Sequence, residues 1–199
     1  MKLAVSPYLE QTRRWPGSGP HLLAQYDAET IVVYQAYRPA IGHYAAAHGR
    51  FGGEYSFGRM SWIKPNFLWM MFRSGWGTKP DQEVTLALRL KRNGFEELLA
   101  TAVASSFGAS GCGTREEWKA ALECSDVRLQ WDPDHDPAGR PLERRAIQLG
   151  LRGQTLRRLN DEWIVEIEDV SGFVAEQRQH LQDLEKLWTP TEHAFSTDC

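Results

Sequence analysis

The sequence holds no apolar run approaching the roughly 18 residues a membrane helix needs. Its start, MKLAVSPYLEQTRRW, turns polar before a secretory core can build, so a cytoplasmic protein with no membrane partner is expected. Cysteine is scarce. Cys112, Cys124 and Cys199 are an odd number without CxxC spacing, which argues against a disulfide framework or a zinc knuckle. A P-loop, a dinucleotide GxGxxG, a GxSxG elbow and an HxxxH pair are all missing, so P-loop NTPase, Rossmann, hydrolase and zinc-helix chemistry find no support. There is no internal repeat.

What is present fits one globular domain: 199 residues, 42% hydrophobic and 25% charged. The formal net charge of -3 hides a segregation, because 59–92 and 128–158 are net basic while 159–199 is strongly acidic. If the basic segments share a face, they attract phosphate-bearing ligands such as nucleotides or nucleic acid. The alternative is that these cations decorate solvated strand edges.

Residues 1–25, punctuated by Pro7, Pro16, Gly17, Gly19 and Pro20, read as an extended arm with little regular structure. Thr30 to Tyr37 is β-branched and aromatic, a buried strand with Ile31, Val33, Gln35 and Tyr37 on one face and Val32, Tyr34, Ala36 and Arg38 on the other. A helix from Pro39, a short strand RMSWI, and a helix from Pro65 stopped by Gly75 follow. VTLALRLK alternates as a strand with one solvated face, GFEELLATAVASS is helical, and Thr114 with Glu117 has capping-box spacing. VRLQW, RAIQLGLRG and EWIVEIED supply three more strands. The segment DPDHDPAGRPLE reads as a loop, and FVAEQRQHLQDLEKLW as a C-terminal amphipathic helix with Leu181, Leu184 and Trp188 on one side. Residues 190–199 read as a frayed tail. The expected fold class is α+β, a single domain with a mixed or mainly antiparallel central sheet and short helices.

Chemistry concentrates in RMSWIKPNFLWMMFRSGW, where Arg59, Lys64 and Arg73 sit among Trp62, Trp69 and Trp76. A central core helix explains most of the apolar side chains, so Leu68, Met70 and Phe72 are discounted as ligand contacts. The three cations resist that explanation, since a buried cation needs a partner and phosphate is one. Alternation puts Gln130 and Gln148 opposite the apolar sets of their strands, so both glutamines are candidates for one site. In WDPDHDP, Asp132 reads as a strand-end cap or a catalytic carboxylate, without the glycine and distal glutamate of a calcium loop, and no metal is expected. Glu166 and Glu168 share one strand face, a solvated pair or one able to bind a ribose or act as a base.

The segments DAETIVVYQAYRPAIG, RMSWIKPNFLWMMFRSGW, LALRLKRNGFEELL, VRLQWDPDHDP, RAIQLGLRG and WIVEIEDVS, between Leu22 and Val174, resemble the family called domain of unknown function 4291. Trp131 and Asp132 belong to that pattern, while Asp134-His135-Asp136 departs from it. A second resemblance, at the level of element order, is to ADP-ribosyltransferases. It implies Gln35 or Arg38 in the first position, Ser61 in the second and Glu168, beside Glu166, in the third. NAD would then lie between the strands with Trp62 or Tyr34 on the nicotinamide. Two further classes compete. One is a non-catalytic RNA- or DNA-binding module with a basic, Trp-rich face. The other is an interaction domain displaying Trp69 and Met70.

Overall fold

A computed structural model describes residues 3–196 of the chain. In chain order the elements are β1 (Val5–Pro7), α1 (Tyr8–Thr12), β2 (Gly19–Pro20), β3 (Leu23–Ala24), β4 (Thr30–Tyr37), α2 (Pro39–His48), β5 (Ser61–Ile63), α3 (Phe67–Ser74), β6 (Val84–Lys91) and α4 (Arg92–Thr101). They continue with β7 (Val103–Ala104), α5 (Arg115–Cys124), β8 (Val127–His135), β9 (Pro141–Leu151), α6 (Gly153–Arg158), β10 (Ile164–Asp169), α7 (Ser171–Arg178), β11 (Trp188–Pro190) and β12 (His193–Ala194). The result is one α+β domain whose strands pair mostly antiparallel, with β2–β9 and β7–β8 the parallel pairs.

Two sheets carry the architecture, ordered β10-β6-β4 and β2-β9-β8-β7, with β5 next to β2 on the edge of β9 away from β8. They meet at one place. Tyr34 on β4 and Lys64 just after β5 exchange backbone hydrogen bonds of 2.7 and 3.1 Å, so the sheets join edge to edge beside Lys64.

The first sheet is covered on both faces. Ile31, Val33, Leu86, Leu88, Leu90 and Ile167 enter one hydrophobic core, while Val32, Tyr34 and Ala87 enter a second with Phe67, Met70 and Met71 of α3 and Val174 of α7. The solvated face expected for β6 is confined to its end, Arg89 and Lys91, because Thr85 and Ala87 are fully buried. Strand alternation marks which residues share a face but not what covers it.

Helix α3 starts later than Pro65 because the Asn66 side chain accepts the Trp69 N–H at 2.7 Å, an N-cap that sets the first turn at Phe67. It ends at Gly75, whose φ of 59° is the left-handed stop that the sequence announces. The Thr114–Glu117 capping box is also formed. Trp69 and Met70 are 4% and 3% exposed, so neither forms the surface patch that an interaction domain needs.

Three other expectations change. Strand β8 runs on through Asp132 to His135, because β9 is long enough to pair with it, so DPDH is sheet rather than loop. Helix α7 stops at Arg178, and Trp188, which the periodicity placed on a helix, sits exposed in β11. The terminal segments also pack on each other. β1 pairs with β11, β3 pairs with β12, and Tyr8, Trp15 and Leu23 are buried. Gln11 fastens the two ends by donating to Thr189 Oγ1 at 2.8 Å and accepting the Glu192 N–H at 2.8 Å. The arm and the tail thus supply to each other the backbone and apolar partners that each lacks alone. Cys199 and the other residues of 197–199 lie outside the described residues.

One close approach tests the packing. A Cβ on Gly94 of α4 would stand 2.5 Å from the Trp163 indole, a rigid buried ring. Gly94→Ala is expected to destabilise the fold by about 1–3 kcal/mol, read by denaturant melts.

Candidate functional site

A cleft of about 500 Å³ opens where the two sheets meet, a size typical of small-ligand sites. Its lining includes seven residues singled out from the sequence: Gln35, Arg38, Arg59, Ser61, Trp62, Lys64 and Arg73. Strand β4 contributes Gln35 and its neighbours, the β5 segment gives Ser61, Trp62 and Lys64, and the last turn of α3 gives Arg73. Met70, discounted above, lines the cleft one turn before Arg73.

Lys64 is the feature that needs explaining. It is 7% exposed, and among the described residues its ammonium makes no ion pair. Burial, with the Arg73 charge adding to it and Asp132 opposing it, lowers its pKa to about 8. Arg38, Arg59, Lys64 and Arg73 face Glu54 and Asp81 across the cleft, and Glu54 is already paired with Arg38 at 2.6 Å. The cleft therefore carries surplus positive charge with one cation held out of water.

The floor is polar and partly unsatisfied. Gln35 Nε2 donates to Ser61 Oγ at 2.7 Å and to the Trp62 carbonyl at 3.1 Å, and Tyr37 OH lies 2.9 Å from Ser61 Oγ. Gln35 thereby fixes β5 against β4, whereas its Oε1 and the Tyr55 hydroxyl are buried without hydrogen-bond partners among the described residues. Burial, and then the Tyr55 charge, raises the Tyr37 pKa well above the usual phenol value, so this phenol stays neutral. Tyr37 was legible as a candidate, since it shares a strand face with Gln35. Tyr55 and Glu54 come from an irregular segment without any sequence signal.

Trp62 rests on Gly150 of β9, where a Cβ would come within 2.9 Å of the indole. Beyond it, Gln130 and Gln148 are direct cross-strand partners, and each donates to one oxygen of Asp132 at 2.8 Å. The two glutamines do face one place, and Asp132 sits between them rather than capping a strand end. This trio lies outside the cleft lining but reaches it electrostatically through Lys64.

The remaining candidates do not join the cleft. Tyr34 is fully buried, edge-on to Phe67 with centroids 5.4 Å apart, and offers no face to a nicotinamide. Glu168 pairs with Ala87, which in turn pairs with Tyr34, so it stands in the Tyr34 row, while Gln35 points to the other side of the sheet. Alternation thus separates Glu168 from Gln35 and Ser61, the set that the transferase likeness grouped. Burial and the neighbouring Glu166 raise the Glu168 pKa. Glu168→Gln is accordingly expected to leave ligand affinity in the cleft unchanged within twofold, checked by titration calorimetry.

No group of three or more His, Cys, Asp or Glu side chains capable of holding a metal is found among the described residues. No helix among them is long and apolar enough to cross a membrane. A family model described as "Domain of unknown function (DUF4291)" matches residues 21–195. No curated protein matches the chain.

Proposed function

The chain belongs to the DUF4291 family, whose description names no activity, and we propose that its cleft binds a phosphate-bearing, nucleotide-like ligand. The observation that carries this reading is Lys64, a buried ammonium that makes no ion pair among the described residues and lines a cleft with more cations than carboxylates. Holding such a group uncompensated is unfavourable, and an anion entering the cleft removes the penalty. Arg59 and Arg73 offer planar forks for phosphate oxygens, Lys64 a point charge, and Trp62 an aromatic face for a base.

The volume of the cleft, about 500 Å³, suits a mononucleotide or dinucleotide, whereas a length of nucleic acid spreads across a longer groove. NAD remains a natural probe on those grounds. ADP-ribosyl transfer through Glu168 gains no support from the geometry, because that carboxylate is on the other sheet face from Gln35 and is not among the residues lining the cleft.

The test is a thermal-shift series with pyrophosphate, ADP, NAD, adenosine and a short RNA. Stabilisation by pyrophosphate, ADP and NAD but not by adenosine is the expected result. A shift with RNA alone, falling steeply with salt, transfers the assignment to the nucleic-acid-binding alternative. No shift with any anion removes the reading.

A further inference from the structure

We propose that Lys64 is a carbonyl-reactive amine, forming an imine with a small aldehyde or ketone whose phosphate or carboxylate is held by Arg59 and Arg73. This rests on the preceding reading that the cleft accepts an anion, and adds what its lysine does once the anion is seated.

Lys64 differs from the other lysines in the described residues. Lys79, Lys91, Lys119 and Lys186 are exposed, and two of them are engaged: Lys79 donates to the Arg73 carbonyl at 2.7 Å, and Lys186 pairs with Asp183 at 2.7 Å. Lys64 alone is buried, opens onto a cleft and makes no ion pair.

An amine is nucleophilic only when unprotonated, and desolvation beside a second cation is the arrangement that produces a neutral lysine near neutral pH. Both conditions are met here by burial and by Arg73, in line with the lowered pKa of about 8. The backbone of Lys64 is also held, since its N–H and carbonyl are both bonded to Tyr34. Its amine therefore projects from a fixed point at the joint between the sheets rather than from a mobile loop.

The chemistry balances without an oxidant. The Nζ lone pair attacks the carbonyl carbon, a C–N bond forms, and the C=O π pair moves to oxygen, which takes up a proton while nitrogen releases one. The carbinolamine hydroxyl then takes a proton from solvent and leaves as water as the nitrogen lone pair forms C=N, which gives the protonated imine. Water reverses both steps. Asp132, the carboxylate whose field reaches Lys64, faces the positive charge of the protonated imine.

The probe is pyridoxal phosphate, an aldehyde that carries a phosphate, fixed by borohydride and located by peptide mass mapping of the full chain. Reduction is expected to place the label on Lys64 at least about tenfold faster than on the exposed lysines, with pyridoxal lacking the phosphate slower by a similar factor. Lys64→Arg keeps the charge but has no amine able to form an imine. It is expected to abolish the fast label, while the pyrophosphate thermal shift is read separately on the wild-type chain; where Lys64→Arg fails to fold, Lys64→Met serves for the loss of label.

Label confined to exposed lysines, or a fast label persisting in either variant, overturns the proposal. A pyrophosphate shift without imine removes this inference alone. Loss of both removes the anion cleft as well.

Discussion

Lys64→Met is expected to make the ligand-free protein more stable and to weaken its binding of anions. Lysine in the unfolded chain titrates at 10.5, and burial at the joint between the sheets brings Lys64 down to about 8. Below pH 8 both states carry the proton, and the folded state bears the whole penalty of a desolvated charge. As pH rises from 8 to 10.5 the folded state has released its proton while the unfolded chain still holds it, so stability increases across that window. The penalty is relieved above it.

The size of the shift corresponds to about 3 kcal/mol at most. An isosteric apolar side chain is expected to recover about 2 kcal/mol of it, raising the melting temperature by about 4–8 °C at neutral pH. Pyrophosphate affinity should fall at least about tenfold in the same variant. An unstabilised Lys64→Met protein with normal affinity would falsify both the penalty and its purpose.

A companion pH effect has the opposite sign for binding. Pyrophosphate seated against Nζ favours protonated Lys64, so wild-type pyrophosphate affinity is expected to decline as pH rises above 8, and the Lys64 contribution to that decline is lost in Lys64→Met. The charged groups facing this site are Arg38, Arg59, Arg73, Glu54, Asp81 and Asp132, and the phenols of Tyr37 and Tyr55 are raised further from the range by burial. Among these, Lys64 is the group that changes charge between pH 7 and 9.

The second large effect lies in the buried ion pair of Asp134 and Arg144, where Arg144 contacts Asp134 Oδ2 at 2.7 Å with both groups nearly water-free. Arg144 also donates to the Pro16 carbonyl at 2.8 Å and stacks its guanidinium 5.3 Å from the Trp15 ring. Arg144→Met is expected to lower stability by about 3–5 kcal/mol, because it strands the Asp134 charge in the interior.

The damage should extend to the chain ends. Burial raises the Glu192 pKa well above the usual carboxylate range, Asp134 pushing the same way and Arg144 against it. Glu192 accepts the Phe67 N–H at 2.6 Å and the Asn66 amide at 3.0 Å, so it ties the tail to the start of α3. Denaturant melts of Arg144→Met, Asp134→Asn and the double variant check the point. The double variant should be more stable than the sum of the singles, and strict additivity would show that the pair is not coupled.

Local structure is legible in the residues alone. The β-branched run placed β4 at Thr30–Tyr37, Thr114 and Glu117 announced a capping box, and Gly75 announced the end of α3. The sequence also concentrates the cations of the cleft, since Arg59, Lys64 and Arg73 fall within one strand–helix unit whose short connection keeps them close. These features depend on φ/ψ preference, side-chain period and nearby hydrogen bonds, all of which act within a few residues.

Which faces meet depends on long-range pairing. Period-two alternation grouped Glu166 with Glu168 and Gln35 with Tyr37, yet the register of β4, β6 and β10 sets Glu168 in the row of Tyr34, away from Gln35. The same long-range pairing put Gln130 opposite Gln148 around Asp132 and drew the tail under α3 through Glu192. Neither event leaves a trace in local sequence, because the partners lie tens of residues or more apart. The energy that joins them comes from burial and from satisfying polar groups out of water.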